Sequence, residues 1–142
     1  QTCGNVIHHL KVTQARHAKV DVIGIGRGVV DRAKEQKKPV FGINVSETPT
    51  NPEAQEAFVN LRAQLWWAVR ERFENGTIDI DPQDEDLAAE LVTLRYKRTS
   101  TGKIQIESKE EAKRRGVPSP NRADALMLSF APPPVENVSL VW

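Results

Sequence analysis

The sequence has one cysteine and no long apolar run, and both facts restrict the class of protein. Cys3 is alone among 142 residues, which excludes an intramolecular disulfide and a cysteine-rich zinc site. No apolar run approaches the roughly 20 residues that a membrane-spanning helix needs, and no signal peptide is recognisable. We therefore expect a cytosolic protein with no membrane partner.

The sequence also lacks an excess of charge of either sign. Lys and Arg total 20, Asp and Glu total 19, and the formal net charge is +1. Any contact with nucleic acid must therefore come from a local basic patch. The length suits one folded domain. Because the first residue is Gln rather than Met, we expect a trimmed or truncated piece of a longer protein.

Hydrophobic periodicity predicts an α/β fold. A helix over residues 3–16, an apolar strand over 19–23, a second helix and the strand "PVFGINV" predict a βαβ unit with parallel strands. The β-branched composition of the first strand indicates burial on both faces. Further predicted elements are one helix over 52–74, a helix in "DEDLAAELVTL", a hairpin in "LRYKRTSTGKIQIES" and a last helix over 119–130. We predict one domain with a mixed sheet over 1–131 and a Pro-rich extended tail over 132–142.

The turn "GIGRG" after the first strand permits two interpretations. A dinucleotide-binding loop requires G-x-G-x-x-G, and here the third glycine comes one residue early. The chain also has little room for the further βαβ units of such a fold. A nucleotide-binding α/β domain stays a weaker alternative, and the structural interpretation is that the glycines permit a tight turn and close helix–strand packing.

Two aspartates are candidates for a metal site. Asp21 lies in the apolar strand, where an isolated carboxylate is costly unless it is paired or binds a cation. Asp124 lies near the start of the last helix, between two alanines that leave space beside it. Each acid alone has a structural explanation, such as the preference of Asp124 for a helix N-terminus. Two acids near the core on different elements fit a shared Mg²⁺ or Mn²⁺ site better.

The remaining polar and aromatic candidates are less specific. His8, His9 and His17 lack chelating spacing, so we expect them at the surface. Of the adjacent tryptophans, Trp66 should lie in the core and Trp67 at its margin, both structural rather than base-stacking. Eight late basic residues either follow a phosphate backbone or form a solvated face: Arg95, Lys97, Arg98, Lys103, Lys109, Lys113, Arg114 and Arg115.

Several segments, taken in order, resemble one family. They are "VDVIGIGRGVVDR", "FGINV", "NLRAQLWWAVRERFENGTIDI", "KIQIESKEEAKRRG" and "SPNRADALML". Together they resemble the C-terminal nuclease domain of the large terminase subunit of tailed bacteriophages and prophages. The resemblance runs from about Val20 to Phe130.

The resemblance implies a ribonuclease H-like (integrase-like) fold and a metal-dependent endonuclease that cuts concatemeric double-stranded DNA during genome packaging. It makes Asp21 and Asp124 catalytic ligands of two divalent ions, Mg²⁺ or Mn²⁺. In such sites one ion activates water and the other stabilises the leaving oxygen. The implied partners are double-stranded DNA, an N-terminal ATPase domain, the small terminase subunit and the portal, in the cytoplasm of a bacterial host.

The sequence departs from the family in one respect. The resemblance implies a further aspartate on an earlier strand, but residues 1–19 contain no Asp or Glu. No phosphate-binding loop of an ATPase is present either. We therefore expect an N-terminally incomplete nuclease domain that alone nicks DNA weakly or not at all. The alternative is a non-catalytic prophage remnant, or a module that binds DNA or a packaging partner.

Overall fold

The computed structural model describes residues 2–132, which form seven helices and four short strands. The chain divides into two compact units. The described residues of the first unit are 2–44 with 131 and 132, and the second unit comprises 45–130. Apart from Pro132, the tail predicted over 132–142 lies outside the described residues.

The first unit contains the predicted βαβ arrangement. Its elements are α1 (Thr2–Val12), β1 (Ala18–Asp21), α2 (Gly26–Glu35) and β2 (Val40–Ile43). The strands β1 and β2 pair in parallel, and Asp21 lies opposite Ile43 in the register. A cluster of buried side chains from α1, α2 and β2 forms the core of this unit: Cys3, Val29, Val30, Ala33 and Val40.

Two glycines allow close backbone approach in this unit. A Cβ on Gly26 would lie 1.6 Å from the backbone oxygen of Asp21, so α2 can begin against the end of β1 only with glycine there. A Cβ on Gly42 would lie 2.4 Å from Cγ1 of Val22, far inside the normal carbon–carbon contact distance. The packing role predicted for the glycine-rich turn is confirmed.

The expectation that the first strand is covered on both faces is wrong. All four residues of β1 are only partly buried, and Ile25 in the following turn is 85% exposed. Among the described residues, β1 has a single hydrogen-bonded neighbour, β2. Because β1 has a neighbouring strand on one edge only, its side chains stay partly exposed. The β-branched composition of a strand does not reveal how many neighbours it has.

The second unit is mainly helical. Its elements are α3 (Pro52–Ala57), α4 (Leu61–Glu74), α5 (Glu85–Thr93), β3 (Tyr96–Arg98), β4 (Ile104–Ile106), α6 (Lys109–Arg114) and α7 (Asn121–Ser129). The hairpin of β3 and β4 is antiparallel, as predicted. Ser108 caps α6 in a capping box with Glu111, which satisfies two backbone N–H groups reciprocally.

The single helix predicted over 52–74 is wrong, because the chain breaks between α3 and α4. Phe58 is extended and forms a parallel bridge with Ile104, and the N–H of Val59 donates to the Ile104 carbonyl at 3.0 Å. Asn60 then starts α4, since its side chain accepts a hydrogen bond from the N–H of Ala63. The contact with the hairpin outweighs the helical periodicity at these residues.

The predicted single mixed sheet is also not found. The described residues form two separate two-stranded sheets, one parallel (β1–β2) and one antiparallel (β3–β4). Strand β4 packs against helix α4, and Ile104 and Ile106 are buried. The hairpin therefore buries its apolar face on a helix. No described helix is long and apolar enough to cross a membrane.

The adjacent tryptophans have the predicted positions. Trp66 is buried in the core of the second unit, whereas Trp67 is half-buried. The Trp67 ring meets Tyr96 edge-on, with 5.1 Å between ring centroids, and the Arg70 guanidinium lies 4.4 Å from the Trp67 centroid. That Trp67 does not stack on bases stays a prediction.

Candidate functional site

Asp124 lies in the first turn of α7 and is held by the backbone there. Its N–H donates to the carbonyl of Pro120 at 2.7 Å, and the buried Ala123 precedes it. A carboxylate in this place gains about 0.3–1 kcal/mol from the helix dipole. The side chain is mostly buried, at 17% exposure.

The two carboxylate oxygens of Asp124 have different surroundings. Oδ2 lies 3.0 Å from Nζ of Lys109, a half-exposed side chain at the start of α6. Oδ1 is buried and has no hydrogen-bond partner among the described residues. Such an oxygen lacks the donors that water would supply, which is unfavourable unless a cation or a donor binds it. The donor chemistry fits a hard divalent ion.

Asp21 is the last residue of β1 and is partly buried. Its Oδ1 accepts a hydrogen bond from the N–H of Ile23 at 2.9 Å, which helps turn the chain after the strand. Asp21 belongs to the first unit and Asp124 to the second. Between residues 2 and 132, no three His, Cys, Asp or Glu side chains form a group that could hold a metal ion.

The histidines occupy the predicted surface positions. His8, His9 and His17 are all exposed, and the His17 ring contacts Phe41 edge-on at 5.6 Å between centroids.

We call the eight late basic residues, all in the second unit, the basic cluster. Three members are neutralised by carboxylates. Lys97 Nζ lies 2.8 Å from Glu111 Oε1, Arg115 forms two hydrogen bonds with Glu107 at 2.7 and 2.6 Å, and Lys109 pairs with Asp124. Within the described chain, five members form no ion pair: Arg95, Arg98, Lys103, Lys113 and Arg114.

Sequence reasoning missed Glu107 and Glu111, the glutamates that pair with members of the basic cluster. The hydrogen bond from Arg115 lowers the pKa of Glu107, and the same contact raises the pKa of Arg115. Hydrogen bonds from Lys97 and from Ser108 lower the pKa of Glu111 to about 2. The spacing of Ser108 and Glu111 was a visible capping-box signal, but the pairing of Glu111 with Lys97 was not.

Comparisons with known proteins place the fold beside one group of solved structures. No protein-family model and no curated protein matches the sequence. The nuclease domain of the large terminase subunit of bacterial virus Sf6 matches at 28% identity and a TM-score of 0.74, covering 89% of this chain and 69% of that one. A lysine-to-alanine mutant of that domain with manganese matches at 27% and 0.74, covering 89% and 70%.

The same mutant with calcium also matches, at 27% identity and a TM-score of 0.74, covering 89% of this chain and 69% of that one. The chain is thus similar, over most of its length, to a terminase nuclease domain. The neighbouring structures hold divalent ions, manganese in one and calcium in another.

Proposed function

We propose that this chain, similar to phage terminase nuclease domains, is a metal-dependent DNA endonuclease domain with a ribonuclease H-like fold. Its substrate is concatemeric double-stranded DNA during genome packaging in the bacterial cytoplasm. The observation that carries the proposal is the buried Oδ1 of Asp124 on α7, which has no partner among residues 2–132, in a fold whose solved neighbours hold manganese or calcium.

Asp21 and Asp124 are the residues that would hold Mg²⁺ or Mn²⁺, with two ions in the complete site. Bound ions would supply activation of water and stabilisation of the leaving oxygen. Lys109 would share the charge of Asp124 through Oδ2, leaving Oδ1 for the ion. An N-terminal ATPase domain, the small terminase subunit and the portal are the proposed partners.

DNA would meet the unpaired members of the basic cluster. Arg95, Lys113 and Arg114 are exposed and form no ion pair with the described residues. Each phosphate that such a side chain neutralises releases bound counterions, so affinity should fall steeply with salt. Lys97 and Arg115 would contribute less, because Glu111 and Glu107 already neutralise them.

Metal binding is tested by following the melting temperature during Mn²⁺ titration. An ion that binds the folded chain raises Tm. Asp124→Asn keeps the side-chain shape and removes the charge, so the rise should fall by at least half. The control is Asp79→Asn, which changes an exposed acid and should keep the full rise. Equal rises in wild type and Asp124→Asn would show that Asp124 is not a ligand.

Cutting is tested on supercoiled plasmid with Mg²⁺, Mn²⁺ or EDTA. This chain should nick weakly or not at all, and a version extended at its N-terminus by a strand carrying a third aspartate should cut. In the extended version, Asp21→Asn or Asp124→Asn should lower the rate at least ~100-fold, since each removes a ligand of the ions. An extended version that binds DNA but never cuts would support the non-catalytic alternative.

A further inference from the structure

A cavity of about 660 Å³ lies on the first unit between α2, β2 and the loop that joins them. Its apolar lining includes Val22, Val30, Val40 and Phe41. Four cations also line it, which we call the basic face: Arg27, Lys34, Lys37 and Lys38. Among the described residues, Asp31 is the one acid that lines the cavity. The cavity therefore combines an excess of positive charge with an apolar floor.

Helix stability accounts for only part of the basic face. Lys34 lies in the last turn of α2, where a cation interacts favourably with the helix dipole. Arg27 lies in the first turn, where the same dipole disfavours a cation. Arg27 also forms no ion pair with Asp31 one turn later, so its charge is not compensated within the helix.

The other cations of the basic face are equally uncompensated. Across the described residues, no carboxylate lies within ion-pair distance of Lys34, Lys37 or Lys38. Lys37 has a positive φ of 50°, an unfavourable conformation for a lysine. Hydrogen bonds from the N–H groups of Lys37 and Lys38 to α2 carbonyls, each 2.9 Å, hold this end of the helix.

The spacing of the basic face suits a regular polyanion. Arg27 and Lys34 are seven residues apart, so they lie on one side of α2 and about 10.5 Å apart along its axis. The phosphates of one DNA strand repeat about every 3.4 Å along the duplex axis. Arg27 and Lys34 can therefore contact separate phosphates of one strand, and Lys37 and Lys38 follow in the loop after the C-terminal end of α2.

We propose that the basic face binds the sugar–phosphate backbone of duplex DNA. The cations would neutralise phosphates of one strand, and the apolar floor would contact deoxyribose rings. This inference rests on the proposed function for its ligand, but it adds a surface on the first unit to the basic cluster of the second. A free nucleotide or an acidic protein segment would satisfy the charge without using the regular spacing.

The test measures the affinity of a fluorescent 30-base-pair duplex by anisotropy in EDTA, between 50 and 200 mM NaCl. The variant is Lys34→Gln with Lys37→Gln and Lys38→Gln. Each lost phosphate contact lowers the salt slope by about 0.9, so the slope should fall by about 2–3 and Kd should rise at least tenfold at 100 mM. Arg27→Gln alone should lower the slope by about 1 and does not affect the end of α2.

The matched control removes three positive charges from the same unit outside the basic face, by Lys11→Gln, Arg16→Gln and Arg32→Gln. The salt slope of this control variant should stay within about 1 of the wild-type slope. Equal losses in the two triple variants would show a general charge effect and overturn the proposal. So would displacement of the duplex by ATP or poly-glutamate at equal phosphate or carboxylate concentration.

The outcome of this DNA titration is independent of the outcome of the metal-binding test of the proposed function. The DNA titration contains EDTA and reports phosphate contacts, whereas the Mn²⁺ melts contain no DNA and report Asp124. An unchanged slope in the Lys34, Lys37 and Lys38 variant with an Asp124-dependent Mn²⁺ response would overturn the basic face alone. The reverse result would overturn the metal ligand and leave the basic face in place.

Discussion

Individual carboxylates decide which basic side chains of the second unit can meet a phosphate. Glu107 and Glu111 lie among cations that the sequence presents as one charged group. Each neutralises one partner, Arg115 and Lys97. A phosphate that competes for either cation must displace a carboxylate hydrogen bond, so these two positions contribute less to DNA affinity than their unpaired neighbours.

We predict a specific pH dependence at Glu111. Its pKa is lowered from 4.5 to about 2 by hydrogen bonds from Lys97 and from Ser108. A carboxyl whose folded pKa is depressed stabilises the fold above its unfolded pKa, and this stability is lost as pH falls toward the folded value. Wild type should therefore lose stability relative to Glu111→Gln between about pH 4.5 and 2, and the difference should be constant above pH 5.5.

Urea unfolding at half-unit pH steps measures this difference. Glu110→Gln is the matched control, because Glu110 is exposed and adjacent on α6. A wild-type to Glu111→Gln difference that does not change with pH would show that Glu111 keeps an ordinary pKa in the folded protein.

At the scale of elements, the break between α3 and α4 decides how the hairpin is held. Phe58 and Val59 leave the helical conformation and hydrogen-bond with Ile104 on β4. Asn60 then restarts the helix as N-cap of α4. The cap and the bridge are therefore two parts of one connection between the helices and the hairpin.

The sign of the stability change caused by Asn60→Ala tests whether the helix is broken between α3 and α4. Asn60 Oδ1 accepts a hydrogen bond from the N–H of Ala63 at 3.0 Å, and losing such a cap costs about 1 kcal/mol. Asn60→Ala should therefore destabilise the protein by about that amount in urea unfolding. In an unbroken helix the same change would stabilise it, because alanine has the higher helix propensity.

Asn51→Ala is the matched control for this measurement. Asn51 caps α3 by accepting from the N–H of Ala54 at 2.8 Å, and it is a cap with or without the break. Asn51→Ala should also lower the free energy of unfolding by about 1 kcal/mol. A gain in stability for Asn60→Ala beside a loss for Asn51→Ala would mean that α3 and α4 form one helix.

At the scale of the whole molecule, each unit has its own buried side chains and its own reporter. Cys3 belongs to the core cluster of the first unit, and Trp66 is buried in the second. A free, buried thiol reacts only when its surroundings open. Thiol labelling can therefore follow the core of the first unit, and tryptophan fluorescence of a Trp142→Phe variant can follow the second unit in the same sample.

We predict that Gly42→Ala accelerates Cys3 labelling. The added Cβ would lie 2.4 Å from Val22 Cγ1 and 3.5 Å from Val30 Cγ2, and overpacking of this kind costs about 1–3 kcal/mol. Labelling by a disulfide reagent in native buffer measures the opening of this core. The control, Gly28→Ala, adds a Cβ in open space on α2 and should slow labelling or leave it unchanged. Equal rates in all three proteins would show that β2 does not pack as described.

The sequence by itself determined most of the elements and several of their caps and turns. Caps such as Asn51 and Ser108, the hairpin and the parallel βαβ unit follow from interactions within a few residues, and the structure contains them. The resemblance to terminase nuclease domains also came from the sequence, and the solved structures confirm it. Asp21 and Asp124 as metal ligands stay a proposal.

Only the tertiary structure decided which distant groups meet. It separated α3 from α4 through the bridge between Phe58 and Ile104 and placed Lys109 beside Asp124. It also left one oxygen of Asp124 buried without a partner among the described residues. Periodicity reports which face of an element is apolar, but not what packs there. These pairings join residues far apart in the chain, so they form only when the whole chain folds.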